Sequence, residues 1–230
     1  MRTKSKINCF ENLSKKLKTM KLNYLTFCLV VLIGFSSCSK DDDTPSAGVP
    51  VATEATDITN SSFLANWNSS ENATEYELQV ATEVSFDNVT TKSNLGGPTV
   101  VEDLDGNTEY FYRVRATNLN ENPSAFSNVI SVITLPDAPV ALAGSDITQN
   151  SFQANWDAVA GVTDYLLYVS KDNFTSNPPV YVNGYEGKNV TGTSHQVTGL
   201  DGLSFYYYRL ESKVENRISA PSNSQMVQTQ

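Results

Sequence analysis

A ten-residue phrase occurs twice in this chain, and that repetition constrains the fold more than any other feature. Ile58-Thr59-Asn60-Ser61-Ser62-Phe63-Leu64-Ala65-Asn66-Trp67 returns eighty-nine positions later as Ile147-Thr148-Gln149-Asn150-Ser151-Phe152-Gln153-Ala154-Asn155-Trp156. A repeat at so long a period marks a duplicated structural unit. Alternation within each copy sends Phe63, Ala65 and Trp67 to one face of a pleated strand and Leu64 and Asn66 to the other. The two tryptophans of the chain stand at equivalent places in the copies. Each is therefore expected at the centre of its own core, which divides the 230-residue chain into two units of about 90 residues.

The copies continue in parallel. Tyr76, Leu78 and Val80 alternate with polar residues, as do Tyr165, Leu167 and Val169, which predicts strands of a second sheet. Leu104-Asp105-Gly106-Asn107-Thr108-Glu109-Tyr110-Phe111-Tyr112-Arg113 matches Leu200-Asp201-Gly202-Leu203-Ser204-Phe205-Tyr206-Tyr207-Tyr208-Arg209 at an offset of ninety-six. Seven residues have thus entered the second copy between Val169 and Leu200, where Asn177-Pro178-Pro179 and Asn183-Gly184 interrupt the pattern. No amphipathic helical period follows residue 48, and turn signals recur about every ten residues, so the chain reads as all-β sandwiches.

These residues resemble the fibronectin type III family: Trp67 and Trp156 on the second strand, Tyr76 and Tyr165 opening the third, and Tyr110 and Tyr206 where the family has its tyrosine corner. Gly106 and Gly202 stand in place of the usual proline of that turn. The resemblance implies two tandem immunoglobulin-like sandwiches at 49–134 and 138–228, with the six named tyrosines and tryptophans as structural core. Each corner hydroxyl is expected to bond backbone a few residues upstream. Thr134-Leu135-Pro136-Asp137-Ala138-Pro139 between them reads as a short, stiff joint. Cys9, Cys28 and Cys38 all precede these units, so neither can hold a disulfide.

Lys21 followed by an apolar run from Leu22 to Phe35 and small residues before Cys38 reads as an export signal, too short to span a bilayer comfortably. Met20 is the expected start, because residues 1–19 carry six Lys or Arg ahead of a complete signal. Phe35-Ser36-Ser37-Cys38 resembles the lipobox of bacterial lipoproteins. The resemblance implies cleavage after residue 37 and a diacylglyceryl group on Cys38, with acylation of the new amine. Two or more chains, at roughly 0.8 kcal/mol per buried methylene, anchor stably where one does not. Residues 38–48 read as a disordered acidic tether with a root-mean-square span of roughly 15–20 Å. Ser39-Lys40-Asp41-Asp42-Asp43 resembles the export signal that places Bacteroidota lipoproteins on the outer face of the outer membrane. The expected location is therefore the cell surface, with the periplasmic face as the alternative.

Beyond residue 37 nine basic residues meet twenty-four acidic ones, a net charge of −15, which disfavours nucleic acid as a partner. Catalysis is not expected. His195 is the sole histidine, placed at an exposed strand start, and Cys38 is the one cysteine after the leader, so nucleophile-and-base constellations and zinc ligation lack their residues. Asp103-x-Asp105-Gly106-Asn107 echoes part of a calcium loop but lacks the distal acid and reads as a turn. The six Asn-x-Ser/Thr sequons beyond Cys38, beginning at Asn60, Asn68, Asn72, Asn88, Asn173 and Asn189, read as composition.

The outward residues carry the functional reading. Alternation turns Tyr168, Tyr207 and Arg209 outward on paired strands of the second unit, with Tyr181 and Tyr185 of the inserted loop beside them. Aromatic rings with a polar tip suit a glycan or a protein partner. The equivalent face of the first unit, Glu77, Gln79, Phe111, Arg113 and Arg115, reads as solvated. The expected function is non-catalytic binding or adhesion by a surface lipoprotein. A spacer or envelope scaffold, and an accessory subunit of a carbohydrate-processing complex, are the alternatives. No cofactor is expected beyond the covalent lipid on Cys38.

Overall fold

Alternating burial builds both halves of the chain in the same way. The computed structural model describes residues 46–118 and 123–230; the predicted leader, Cys38 and the tether up to residue 45 lie outside the described residues. Every described element is a strand. In the first sandwich β1 (Val51–Thr56), β2 (Phe63–Asn68) and β5 (Thr99–Val101) form one sheet in the order β1-β2-β5. The other sheet runs β4-β3-β6-β7, from β3 (Glu75–Ala81), β4 (Thr90–Leu95), β6 (Glu109–Thr117) and β7 (Ile130–Ile133).

The second sandwich repeats the plan with β8 (Ala141–Ser145), β9 (Ser151–Trp156) and β12 (Ser194–Thr198) in the order β12-β9-β8. Facing it are β10 (Asp164–Ser170), β11 (Lys188–Thr191) and β13 (Phe205–Val214), with β14 (Arg217–Ile218) and β15 (Gln225–Gln228) both paired to β13. All pairings are antiparallel.

Two separate hydrophobic cores result, one around Phe63, Trp67, Tyr76 and Tyr112, the other around Phe152, Trp156, Tyr165 and Tyr208. Trp67 packs on Tyr76 with ring centroids 5.7 Å apart, and Trp156 on Tyr165 at 5.5 Å. Tyr110 and Tyr206 are buried as well, and their hydroxyls accept the backbone N–H of Asp105 at 2.9 Å and of Asp201 at 2.8 Å. That is the upstream bond the corner geometry calls for.

The phrase's outward asparagines have structural work of their own. The first strand of each sandwich changes register against the second, between Thr53 and Thr56 and again between Leu142 and Ser145. Asn66 Nδ2 donates to the Glu54 carbonyl and to Thr56 Oγ1, and Asn155 Nδ2 to the Ala143 carbonyl and to Ser145 Oγ, so each amide fills the bulge. Tyr112 and Tyr208 complete it from the opposite sheet, donating to the Thr53 and Leu142 carbonyls.

The first core takes in residues that composition assigns to the tether. Ala47, placed in the tether by its neighbours, is buried in the first core, and the Gly48 N–H donates to the Glu71 carbonyl at 2.8 Å. A small apolar residue that reaches the end of a core folds with it, whatever precedes it.

Across the joint, hydrogen bonds add to the restraint of the prolines. The Leu135 N–H donates to the Thr59 carbonyl, and Asn60 Nδ2 to Asp137 Oδ1 at 2.8 Å. From the second sandwich, the β13–β14 hairpin presents Arg217, whose guanidinium donates to Asn107 Oδ1 at 2.9 Å and to the Thr134 carbonyl at 3.2 Å. Gly161, at φ +72°, lets a turn of the second sandwich approach the same Asn107: a Cβ there would lie 3.2 Å from its Nδ2. Asp105 and Asn107 thus serve a corner bond and an interdomain bond.

Two outcomes follow. Trp156→Ala should lower the unfolding free energy by roughly 3–5 kcal/mol in urea titrations, and a loss below about 1 kcal/mol would contradict its central place. Arg217→Ala removes charge-assisted bonds worth on the order of 1–3 kcal/mol. Both cores should stay folded while ¹⁵N relaxation reports more independent tumbling of the two sandwiches; unchanged tumbling would show that the joint does not depend on it.

Candidate functional site: the outer face of the second sandwich

Strand register brings the predicted face together. Tyr168 pairs with Arg209 and Ser170 with Tyr207, so these side chains leave the sheet on the side away from the core. The Arg209 guanidinium lies 4.2 Å from the Phe174 ring centroid and 5.7 Å from that of Tyr168. Tyr181 joins both rings, 6.0 Å from Tyr168 and 6.3 Å from Phe174. Rings around a cation hold it by their quadrupoles. Two ion pairs occur among the described residues, Arg115–Glu77 and Lys171–Asp201, and Arg209 belongs to neither.

Phe174 is held in place by its own turn. It adopts φ +60°, and Asp172 Oδ1 accepts its N–H at 3.1 Å while Asp172 Oδ2 accepts the Ser176 N–H at 3.1 Å. The Ser170 hydroxyl also donates to Asp172, and that bond, with those from Ser176, holds the carboxyl far below the usual carboxylate range. Asp172 is thus a fixed anion that sets the loop.

Tyr168 is fixed from its polar end, its hydroxyl donating to Glu211 Oε2 at 2.9 Å. Burial, then the bond to Glu211 and its charge, push this phenol up to about 12. Tyr207 extends the face toward β15, where it pairs with Met226; Met226 is 59% and Phe205 49% exposed. The result is a stripe of rings and apolar side chains with one cation inside it.

Tyr185 is not part of this face. It is buried in the second core, where its hydroxyl accepts the Thr198 N–H at 3.0 Å, because the inserted loop folds back between the sheets after Tyr181. His195 is half-buried, not exposed, with its ring 6.2 Å from that of Tyr185. Burial first, and Lys188 second, lower its pKa and keep it neutral.

The equivalent face of the first sandwich is closed instead of solvated. Arg113 lies between Phe86 and Phe126, 4.2 and 4.1 Å from their centroids, and donates to Gln79 Oε1 at 3.0 Å. Arg115 also lies against Phe126, at 4.8 Å, and pairs with Glu77 at 2.8 Å. Phe86 takes φ +58° in the loop after β3, as Phe174 does after β10, so both sandwiches fold a ring onto the same arginine of the long strand. Phe86, Phe126 and Phe174 are the residues that strand alternation alone misses. A lone phenylalanine within a polar turn in both copies is the signal that would have found Phe86 and Phe174.

Two sheets per sandwich, a bulged first strand and a tyrosine corner in each half define a protein of tandem fibronectin type III-like domains. No protein-family model matches the chain. Over 203 residues, 81% of its length, the chain is 27% identical to chitinase A1 of Niallia circulans, and the match takes in 26% of that protein. It is similar to a two-domain fibronectin type III segment of chicken tenascin, at 20% identity and a TM-score of 0.46, over 80% of this chain and 100% of that one. The FN1–FN3 domains of chicken CNTN1 follow at 14% identity and a TM-score of 0.40, over 81% of this chain and 69% of that one.

The Tyr168 phenol offers a direct check of the site's electrostatics. Its pKa is raised on folding, so its contribution to stability is complete below about pH 10 and is lost as pH rises through about 12. In ultraviolet titration Tyr168→Phe should remove a late-ionising tyrosine, and Glu211→Gln should move that ionisation to lower pH. Superimposable curves for Glu211→Gln and the parent would refute the bond.

Proposed function

We propose that this protein is a non-catalytic lipoprotein, anchored through Cys38 to the outer membrane and displayed at the cell surface, which binds a glycan or a protein through the outer face of its second sandwich. The observation that carries the reading is the group of Tyr168, Phe174 and Tyr181 beside an arginine that has no carboxylate in ion-pair range among the described residues, with Tyr207 on the same side of the sheet. Planar rings bury area at low entropic cost, and a cation among them adds direction. A glycan is favoured over a protein by one further finding: the curated relative that shares this stretch is a chitinase. That match is to about a quarter of the relative, so what comes over is association with polysaccharide and not hydrolysis.

A scaffold role is favoured by a different observation, the Arg217 bonds that span the joint. A spacer needs a fixed length and angle, whereas a tethered binder tolerates a loose one. Affinity electrophoresis of the purified chain through gels containing chitin oligomers, xylan or pectin separates the two readings. Under the binding reading one polysaccharide retards the chain, and Tyr181→Ala or Tyr207→Ala weakens the retention by up to about tenfold, the value of one stacked ring. Under the scaffold reading no polymer retards it. Brief proteolysis of intact cells tests the location: the chain should disappear without lysis, and Cys38→Ala should release it from membranes.

A further inference from the structure

Seven added residues make the two sandwiches differ at one edge, and the difference leaves a hole in the first. In the second sandwich the inserted segment runs beside the end of β10. The Lys171 N–H donates to the Val180 carbonyl, the Val182 N–H to the Val169 carbonyl, and the Val169 N–H to the Tyr185 carbonyl. Val182 and Tyr185 are thereby carried between the sheets, 8% and 7% exposed. The first sandwich has the counterparts of the surrounding core but not of these two residues. Strand β4 occupies the edge, and Lys92 stretches across it to donate to the Val100 carbonyl at 3.0 Å. Val100 corresponds to Gln196, whose carbonyl lies 3.5 Å from the Tyr185 hydroxyl in the second sandwich. By register the counterpart of Lys92 is Lys188, which lies 5.3 Å from the Tyr185 ring centroid in the second sandwich, so the first sandwich keeps the lysine and lacks the ring beneath it.

Beside Lys92 lies a cavity of about 360 Å³, walled by Val80, Val101, Leu104 and Tyr110, with Glu102 at its mouth. Burial records the vacancy residue by residue. Leu104 is half-buried where its counterpart Leu200 is buried, and Tyr110 is 7% exposed where Tyr206 is 0%.

We propose that this edge of the first sandwich is a binding slot for a single phenol ring, the tyrosine side chain of a partner protein. The occupant is identified by the molecule itself, because the same edge of the same fold, thirteen residues before Thr198, is filled from within by Tyr185. The hydroxyl partner is available too: the Thr198 N–H that Tyr185 accepts corresponds to the Glu102 N–H of the cavity mouth. The apolar walls supply the area a ring would bury, and the Lys92 side chain can swing out as the ring enters. This slot is separate from the outer face of the second sandwich and does not rest on its role.

The test uses the isotope-labelled full chain and 4-methylphenol as the probe, followed by methyl and amide NMR. Shifts at Val80, Val101 and Leu104 that saturate in the millimolar range, as expected for so small a ligand, would support the slot. Tyr185→Ala opens the second sandwich at the matching edge and serves as a built-in standard, in which Val169, Val197 and Leu200 should then respond as well. A response confined to the second sandwich of Tyr185→Ala would overturn the proposal, and so would no response in either protein. Equal shifts with methyl N-acetylglucosaminide would assign the slot to a sugar ring and overturn the tyrosine. If Tyr185→Ala does not fold, the parent chain alone decides, with Leu104→Trp, which fills the cavity, expected to abolish the shifts.

Discussion

The two sheets of each sandwich are joined mainly through side chains, and no cysteine lies beyond residue 38 to staple them. Cohesion therefore rests on the packing between sheets, and its centre is an indole set against a tyrosine ring, Trp67 on Tyr76 and Trp156 on Tyr165. Each tryptophan is nearly inaccessible, yet its Nε1–H meets no acceptor among the described residues. An unmet buried donor costs about 1–3 kcal/mol. Truncating a buried tryptophan costs about 3–5 kcal/mol, so ring burial outweighs the lost bond and the residue stays. Polar satisfaction is concentrated where strands turn instead: Asn66 and Asn155 in the bulges, Tyr110 and Tyr206 at the corners.

Much of this was legible in the sequence because a pleated strand has a period of two, and the period settles which face each residue takes. Trp67, Tyr76, Leu78, Tyr165 and Tyr206 needed nothing more. Alternation also put Tyr168, Tyr207 and Arg209 on one side, and the register of β10 against β13 makes them neighbours. The rule stops where strands stop. Tyr185 lies in a loop, where no parity applies, and its direction is set by the backbone bonds of Val169 and Val182. Phe86 and Phe174 escape for the same reason, since each owes its place to a backbone in the left-handed region that side chains other than glycine seldom adopt. Arg113 shows a further limit. Its outward position was readable, but its cover by Phe126 comes from a segment distant along the chain.

The duplicated halves have diverged in opposite senses at two places. On the outer face the first sandwich spends its arginines on internal partners, Gln79 and Glu77, and closes over them with two rings. The second has Pro221 at the position of Phe126, so one ring is missing above Arg209, and the half-buried cation lies against Phe174 and Tyr168 alone. At the edge the order is reversed, with the second sandwich filled by Val182 and Tyr185 and the first left with a cavity. Chemically available surface thus lies on different sides of the two halves.

The insertion itself accounts for this exchange without any large energetic demand. Lengthening a loop costs little, about 0.6 kcal/mol for each doubling, whereas burying Val182 and the Tyr185 ring recovers more than that. The same excursion brings Tyr181 out against Tyr168 and Phe174, because residues 180 to 182 run as a short extended segment bridged to Ser170, and successive side chains there point opposite ways. One added segment therefore seals the second core with Val182 and Tyr185 and widens the outer face with Tyr181, which precedes them. A chain that gains an aromatic surface in this way need not weaken its core to do so, and the copy without the segment keeps the open edge that the segment would have filled.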